Sequence, residues 1–251
     1  MKSLLRSSLS SVFYHGAQMF GSKQSNARIL CYHRVNNETV DYITVPTEVF
    51  REQLEFLSSE GYQTVGLNDL LQGNTDEKSI VITFDDGYED NYANAFPILN
   101  HFGFTATIFC IAEKVNAPGY LNLNQISEMS KKGFIFGSHT ISHPRLPNLT
   151  QEEKRREITD SKKILEEKLG IPVFFFCYPY GEFDEETVEL VSEAGYHAAC
   201  SNIPGGNEKI TPFLLRRTEI AASDSLYDFR KKLAGAYDFL HQGLHWFRKR
   251  P

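Results

Sequence analysis

The chain has 251 residues, 41% of them apolar, with 19 Phe and 12 Tyr, enough for a sizeable core and too many for a disordered segment. A net charge of −6 with no strongly basic half argues against the positive stripe of a nucleic-acid-binding protein. The 4 cysteines, Cys31, Cys110, Cys177 and Cys200, form no CxxC pair, which argues against a zinc ribbon or thioredoxin-type site and makes buried, reduced thiols the expectation.

The opening stretch, MKSLLRSSLSSVFYHGAQMF, imitates a secretory signal, but Arg6 and a string of serines break the apolar run that a signal needs. No stretch reaches the roughly 20 apolar residues of a membrane-spanning helix. Leu5, Leu9, Val12 and Phe20 can instead line one face of a helix. Residues 1–27 are therefore expected to form a helical extension, packed on the domain or laid on a membrane surface through Lys2 and Arg6. This reading places the protein in the cytoplasm, with peripheral contact at the inner membrane as the sharper alternative.

Short apolar runs then alternate with helix-length segments. Strands are expected over 28–33, 62–65, 79–84, 105–111, 134–136, 173–177, 196–200 and 213–216. Helices are expected over about 48–60, 89–102, 122–132, 151–169, 184–194 and 224–234. Thr150 followed by Glu153 resembles a capping box, and the charged helix behind it reads as a solvated face with Ile158, Leu165 and Leu169 turned inward. The alternation predicts an α/β fold with a parallel sheet. About seven such units without a Gly-rich phosphate loop favour a (β/α) barrel over a doubly wound sheet. One domain is expected over 28–235, followed by a basic tail, 236–251, whose Leu240, Leu244 and Phe247 offer a second membrane contact.

The chemistry concentrates at expected strand ends, where barrels of this kind place it. The run Ile80–Phe84 finishes on Asp85-Asp86-Gly87, and adjacent carboxylates disfavour each other's ionisation. GSHTISHPRL, residues 137–146, holds His139 and His143 four apart, so that on a helical turn or in a tight loop both imidazoles converge. Two imidazoles and a carboxylate make a site for Zn²⁺ or another divalent transition metal, with positions left for water. One aspartate can then hold the cation while its neighbour stays free as a base, and the cation relieves the like-charge penalty. His33 and Tyr178–Gly181 fall at strand ends too.

Taken together, TFDDG, SHTISHP and CYPYG resemble the polysaccharide deacetylases with a NodB homology domain, carbohydrate esterase family 4, over residues 28–220. The resemblance implies a distorted, NodB-like barrel. It implies that Asp85 is the general base, that Asp86, His139 and His143 bind the metal, and that Thr140 braces the histidine loop. Tyr178 and Tyr180 become expected substrate contacts, with the Tyr180 N–H facing the developing oxyanion.

Two departures from the family pattern follow. Its third motif often carries an Arg, as in R-P-P-Y-G, whereas this chain has Cys177-Tyr178-Pro179-Tyr180-Gly181. Arg216 or Arg217 is expected to replace the missing guanidinium, and Arg217 is also a candidate for substrate binding. The late Leu-x-x-His motif that supplies the general acid is absent after Arg217. However, ILCYHRV puts His33 at the end of an early strand, which resembles the circularly permuted branch that includes the bacterial poly-N-acetylglucosamine deacetylases. His33 is then the expected acid, against the plainer reading of a core-edge histidine.

The activity so implied is removal of N-acetyl groups from the amino sugars of a poly- or oligosaccharide, in bacterial exopolysaccharide or cell-surface glycan synthesis. One divalent transition metal is expected, Zn ahead of Co, Ni or Fe. The alternatives are a non-catalytic glycan-binding module on the same fold, and an O-acetyl esterase or a deformylase acting on a lipid-linked sugar.

Overall fold

The computed structural model describes residues 28–238. Its strands are β1 (Arg28–Tyr32), β2 (Arg34–Val35), β3 (Thr44–Val45), β4 (Gln63–Thr64), β5 (Ser79–Phe84), β6 (Thr107–Cys110), β7 (Ile135–Ser138), β8 (Phe175–Cys177), β9 (Ala198–Pro204) and β10 (Leu215–Glu219). The α-helices are α1 (Thr47–Ser59), α2 (Leu67–Gln72), α3 (Phe96–His101), α4 (Leu123–Ser130), α5 (Gln151–Leu169), α6 (Glu185–Glu193) and α7 (Leu226–Leu233).

Seven strands, in the order β1-β10-β9-β8-β7-β6-β5, form a parallel ring that closes where β1 meets β5. That seam runs in register from Arg28↔Ile80 to Tyr32↔Phe84. The strand expected at 62–65 stands outside the ring: β4 pairs with the first half of β5, and β6 takes the second half. The small β2–β3 pair and helix α2 had no clear periodic signal, being two and six residues long.

Alternation along the strands sorts side chains between two layers. Ile29, Val81, Phe109, Phe175, Cys177, Cys200 and Leu215 fill the barrel, while Leu30, Ile82, Phe84, Ile108, Phe136 and Phe176 pack outward against the helices. Gly137 belongs to this packing, since a Cβ there would stand 2.5 Å from the Phe109 ring. The expected helix at 89–102 divides into a π-helical turn, Asn91–Ala95, and α3. Pro97, which lacks an N–H, falls at the start of α3, where no intrahelical donor is required.

Helix α5 has the expected capping box from Thr150 and Glu153. It is less solvated than its charges suggest, because Lys154 is buried with its ammonium on Asp184 and Glu186, 2.6 Å from each. The described residues continue past the expected boundary at 235. Ala236 and Tyr237 are buried, and Asp238 pairs with Arg28 at 2.8 Å. The expected extension 1–27 and the tail beyond residue 238 lie outside the described residues. No helix among those described is long and apolar enough to cross a membrane.

Candidate active site

The C-terminal ends of β1, β5, β7 and β8 open into a pocket of about 450 Å³ lined by His33, Asp85, Asp86, His139, His143 and Tyr180, with Asn202 of β9 on the rim. The volume is that of a typical small-ligand pocket, roughly 300–1,000 Å³.

Asp85 continues the inward register of Val81 and Thr83, so its carboxylate hangs inside the top of the barrel. Arg217 meets it with a two-pronged ion pair, Nη1 to Oδ1 at 2.6 Å and Nη2 to Oδ2 at 2.7 Å. The guanidinium is fixed in turn by donating Nε–H to the Ser201 carbonyl at 3.0 Å and Nη2–H to Asn202 Oδ1 at 2.6 Å. The thiols of Cys31 and Cys177 approach the same Oδ2 at 3.6 and 3.5 Å. Burial pushes both thiols well above their ordinary range, so they stay protonated and donate. Burial alone would raise the Asp85 carboxyl as well. The Arg217 charge and its hydrogen bonds, helped by His139 and His33, more than offset that and hold it well below the usual carboxylate range.

Past β7 the chain forms a tight loop rather than a helical turn. Thr140 and His143 both have left-handed backbone, φ 67° and 64°. Thr140 Oγ1 accepts the His143 N–H at 2.9 Å, and Glu157 of α5 accepts the N–H groups of Ile141 and Ser142 at 2.8 and 3.0 Å. His139 Nδ1 lies 2.8 Å from the Cys177 carbonyl, which can only accept, so Nδ1 carries a proton and Nε2 is the ring nitrogen left to face Asp86 and His143. Burial, with His139 close by, pushes His143 down to about 4 against the pull of Asp86, leaving a neutral ring.

The three expected ligand atoms form a triangle: His139 Nε2 to His143 Nε2 is 3.1 Å, His143 Nε2 to Asp86 Oδ1 is 3.4 Å, and His139 Nε2 to Asp86 Oδ1 is 3.7 Å. Donors bonded at about 2.0–2.1 Å to a tetrahedral Zn²⁺ stand about 3.3–3.4 Å apart. The residues therefore fit such an ion in both donor type and spacing. Asp86 has φ 72°, and this left-handed turn directs its carboxylate to the histidines while Asp85 stays on Arg217.

The sequence model of the family described as "Polysaccharide deacetylase" matches residues 72–199. YxkH of Bacillus subtilis, which carries the name of a polysaccharide deacetylase, is 34% identical over 188 residues, 73% of this chain and 67% of that protein. The chain belongs to the polysaccharide deacetylase family. A poly-beta-1,6-N-acetyl-D-glucosamine N-deacetylase of Escherichia coli is 23% identical over 81% of this chain, which spans only 38% of that longer protein. Among solved structures, the Streptococcus pyogenes deacetylase PplD, in complex with acetate, superposes with a TM-score of 0.76 and 25% identity, over 82% of this chain and 97% of that one.

Within this deacetylase fold, two expected substrate contacts need correction. Tyr178 follows the inward-facing Cys177, so strand parity turns it outward. Its ring packs between Phe176 and Phe183, and its hydroxyl donates to the Phe213 carbonyl at 3.0 Å. Arg217 is 2% exposed and saturated by protein partners, so it orients Asp85 and offers no free donor to a sugar. Tyr180, in contrast, is 51% exposed with φ 58°, its ring against His143 and under the Arg145 guanidinium. Glu157, Asn202 and the two thiols were not foreseen. Only Asn202 had a usable signal, as a polar residue continuing a strand-like run.

The tight turn carrying Tyr180 depends on Gly181. It has φ +65°, and a Cβ would lie 2.5 Å from the Asn202 Cβ. Gly181→Ala is expected to lose about 2 kcal/mol or more, lowering the melting temperature by roughly 4–8 °C. Thermal unfolding at matched pH checks this, and an unchanged midpoint would mean that the turn relaxes freely.

Proposed function

We propose that the protein is a metal-dependent N-deacetylase acting on a polymer or oligomer of N-acetylglucosamine. The observation carrying this reading is the Asp86-His139-His143 triangle facing an ionised, Arg217-held Asp85 across one pocket. The name of the E. coli relative supports the glycan class, as does the early-strand position of His33. Such a reaction would serve the synthesis of a bacterial exopolysaccharide or cell-surface glycan.

Asp86, His139 and His143 would hold the ion, with Zn²⁺ the best match to a nitrogen-rich donor set. A divalent metal bound there supplies Lewis-acid polarisation of the acetyl carbonyl and acidifies water, which a base as weak as Asp85 requires. Asp85 accepts the proton of the attacking water. His33, as imidazolium, gives a proton to the departing amine, a leaving group that needs one. The Tyr180 N–H and ring close the wall on the acetyl side. A pure glycan-binding module has no use for the Asp85–Arg217 pair, which favours catalysis over that alternative.

Removal of metal with EDTA is expected to abolish deacetylation of an N-acetylglucosamine oligomer, and Zn²⁺, Co²⁺ or Ni²⁺ to restore it. Full activity in protein shown by elemental analysis to be metal-free would refute the metal reading.

A further inference from the structure

Asn202 stands where β9 leaves its ladder with β10. Leu215 pairs with Cys200, but Arg217 pairs with Pro204, so extra residues of β9 bulge between these two points. The Ser201 hydroxyl holds the bulge, donating to the Leu215 carbonyl at 3.0 Å and accepting the Ile203 N–H at 3.2 Å. A bulge re-aims the side chain it carries, and here Asn202 lines the same pocket as His33, Asp85 and Tyr180.

The chemistry of its neighbour settles which way the amide faces. Arg217 has only donors, so the 2.6 Å contact from Nη2 must be to the amide oxygen of Asn202. The amide nitrogen, with two N–H donors, is turned away from the guanidinium. Gly181 packs directly on the Asn202 Cβ and Cγ, so the side chain cannot swing freely. A donor pair held in place by a buried ion pair and a tight turn is suited to reading oxygen acceptors.

We propose that Asn202 is a substrate-recognition residue, its side-chain N–H groups donating to a hydroxyl or acetamido oxygen of the sugar held over Asp85. This rests on the deacetylase reading above. It also ties recognition to catalysis, because the Arg217 that orients Asp85 orients Asn202 as well.

Asn202→Asp tests the idea, since it keeps an oxygen for Arg217 and removes both donors. The probes are a β-1,6-linked N-acetylglucosamine oligomer and 4-nitrophenyl acetate, which has no sugar. The loss of kcat/KM on the oligomer should exceed that on the aryl acetate by about tenfold or more, and appear mainly in KM. Equal losses on both, or none on either, would mean that Asn202 only positions Arg217, and would overturn the proposal. If the wild-type protein fails to deacetylate the oligomer, the deacetylase reading falls and calorimetric binding of the oligomer decides. Binding about tenfold weaker in Asn202→Asp sustains the recognition role, whereas equal binding, or binding by neither protein, ends it.

Discussion

Asp85→Asn is expected to lower turnover of an N-acetylated oligomer by about 10²–10⁴-fold while metal content stays at the wild-type level. The substitution removes the proposed proton acceptor and leaves Asp86, His139 and His143 untouched. It should also weaken the fold. Arg217 is fully buried, and a guanidinium that loses its carboxylate partner there costs about 3–5 kcal/mol. The pH dependence of stability gives an independent check. The folded-state carboxyl sits below its unfolded value of about 3.9, so the wild-type pair contributes in full above that pH. The contribution fades as pH falls through the lower folded value. Acid unfolding of the mutant should lack this component. Elemental analysis, denaturant unfolding and steady-state kinetics together check the prediction; wild-type activity in a folded, metal-loaded Asp85→Asn would remove Asp85 from the base role.

His33→Ala should cost turnover on the amide about 10²–10⁴-fold, with a distinctly smaller loss on an aryl acetate whose leaving group needs no proton. The β1–β5 register puts Tyr32 opposite Phe84, and the ladder runs on through the Asp85 N–H to the Tyr32 carbonyl at 3.0 Å. His33 therefore stands beside Asp85, its Nε2 3.9 Å from Oδ2. Its Nδ1 is buried without a hydrogen-bond partner. Asn91, on the π-helical turn, donates to the His33 carbonyl at 2.8 Å and so fixes the backbone that presents the ring. Metal content should not change, because His33 is outside the ligand triangle. Equal small losses on amide and ester, measured per folded molecule, would return His33 to a packing role.

The barrel was legible because its strands are short apolar runs bounded by turns, and because local motifs fall at their ends. Asp85, Asp86, His139 and His143 carry that signal within a few residues of sequence. Arg217 was harder. The strand expected at 213–216 lies two or three residues further on, since residues 212–214 form a single 3₁₀ turn that starts at Pro212. Inward parity from Leu215 then selects Arg217 over Arg216, but parity can be counted only once the strand's register in the closed ring is known. The same parity sends Tyr178 outward, although its place in the CYPYG motif suggests otherwise. Glu157 is beyond any local reading, because α5 and the histidine loop meet only through the packing of the helix on the barrel.

Asp86, Thr140, His143 and Tyr180 all hold left-handed backbone without being glycine, at φ 72°, 67°, 64° and 58°. Such a conformation costs an ordinary residue about 1–2 kcal/mol, so together these positions draw on a sizeable share of the roughly 5–15 kcal/mol that keeps a domain folded. Glycine would hold the same conformation at each of them without that cost. Glycine at all four would relieve that strain, at the cost of the two proposed ligands Asp86 and His143, the Thr140 contact to the His143 N–H and the Tyr180 ring. Substitutions that thermostabilise this chain without altering the pocket should therefore be found on the helical shell instead.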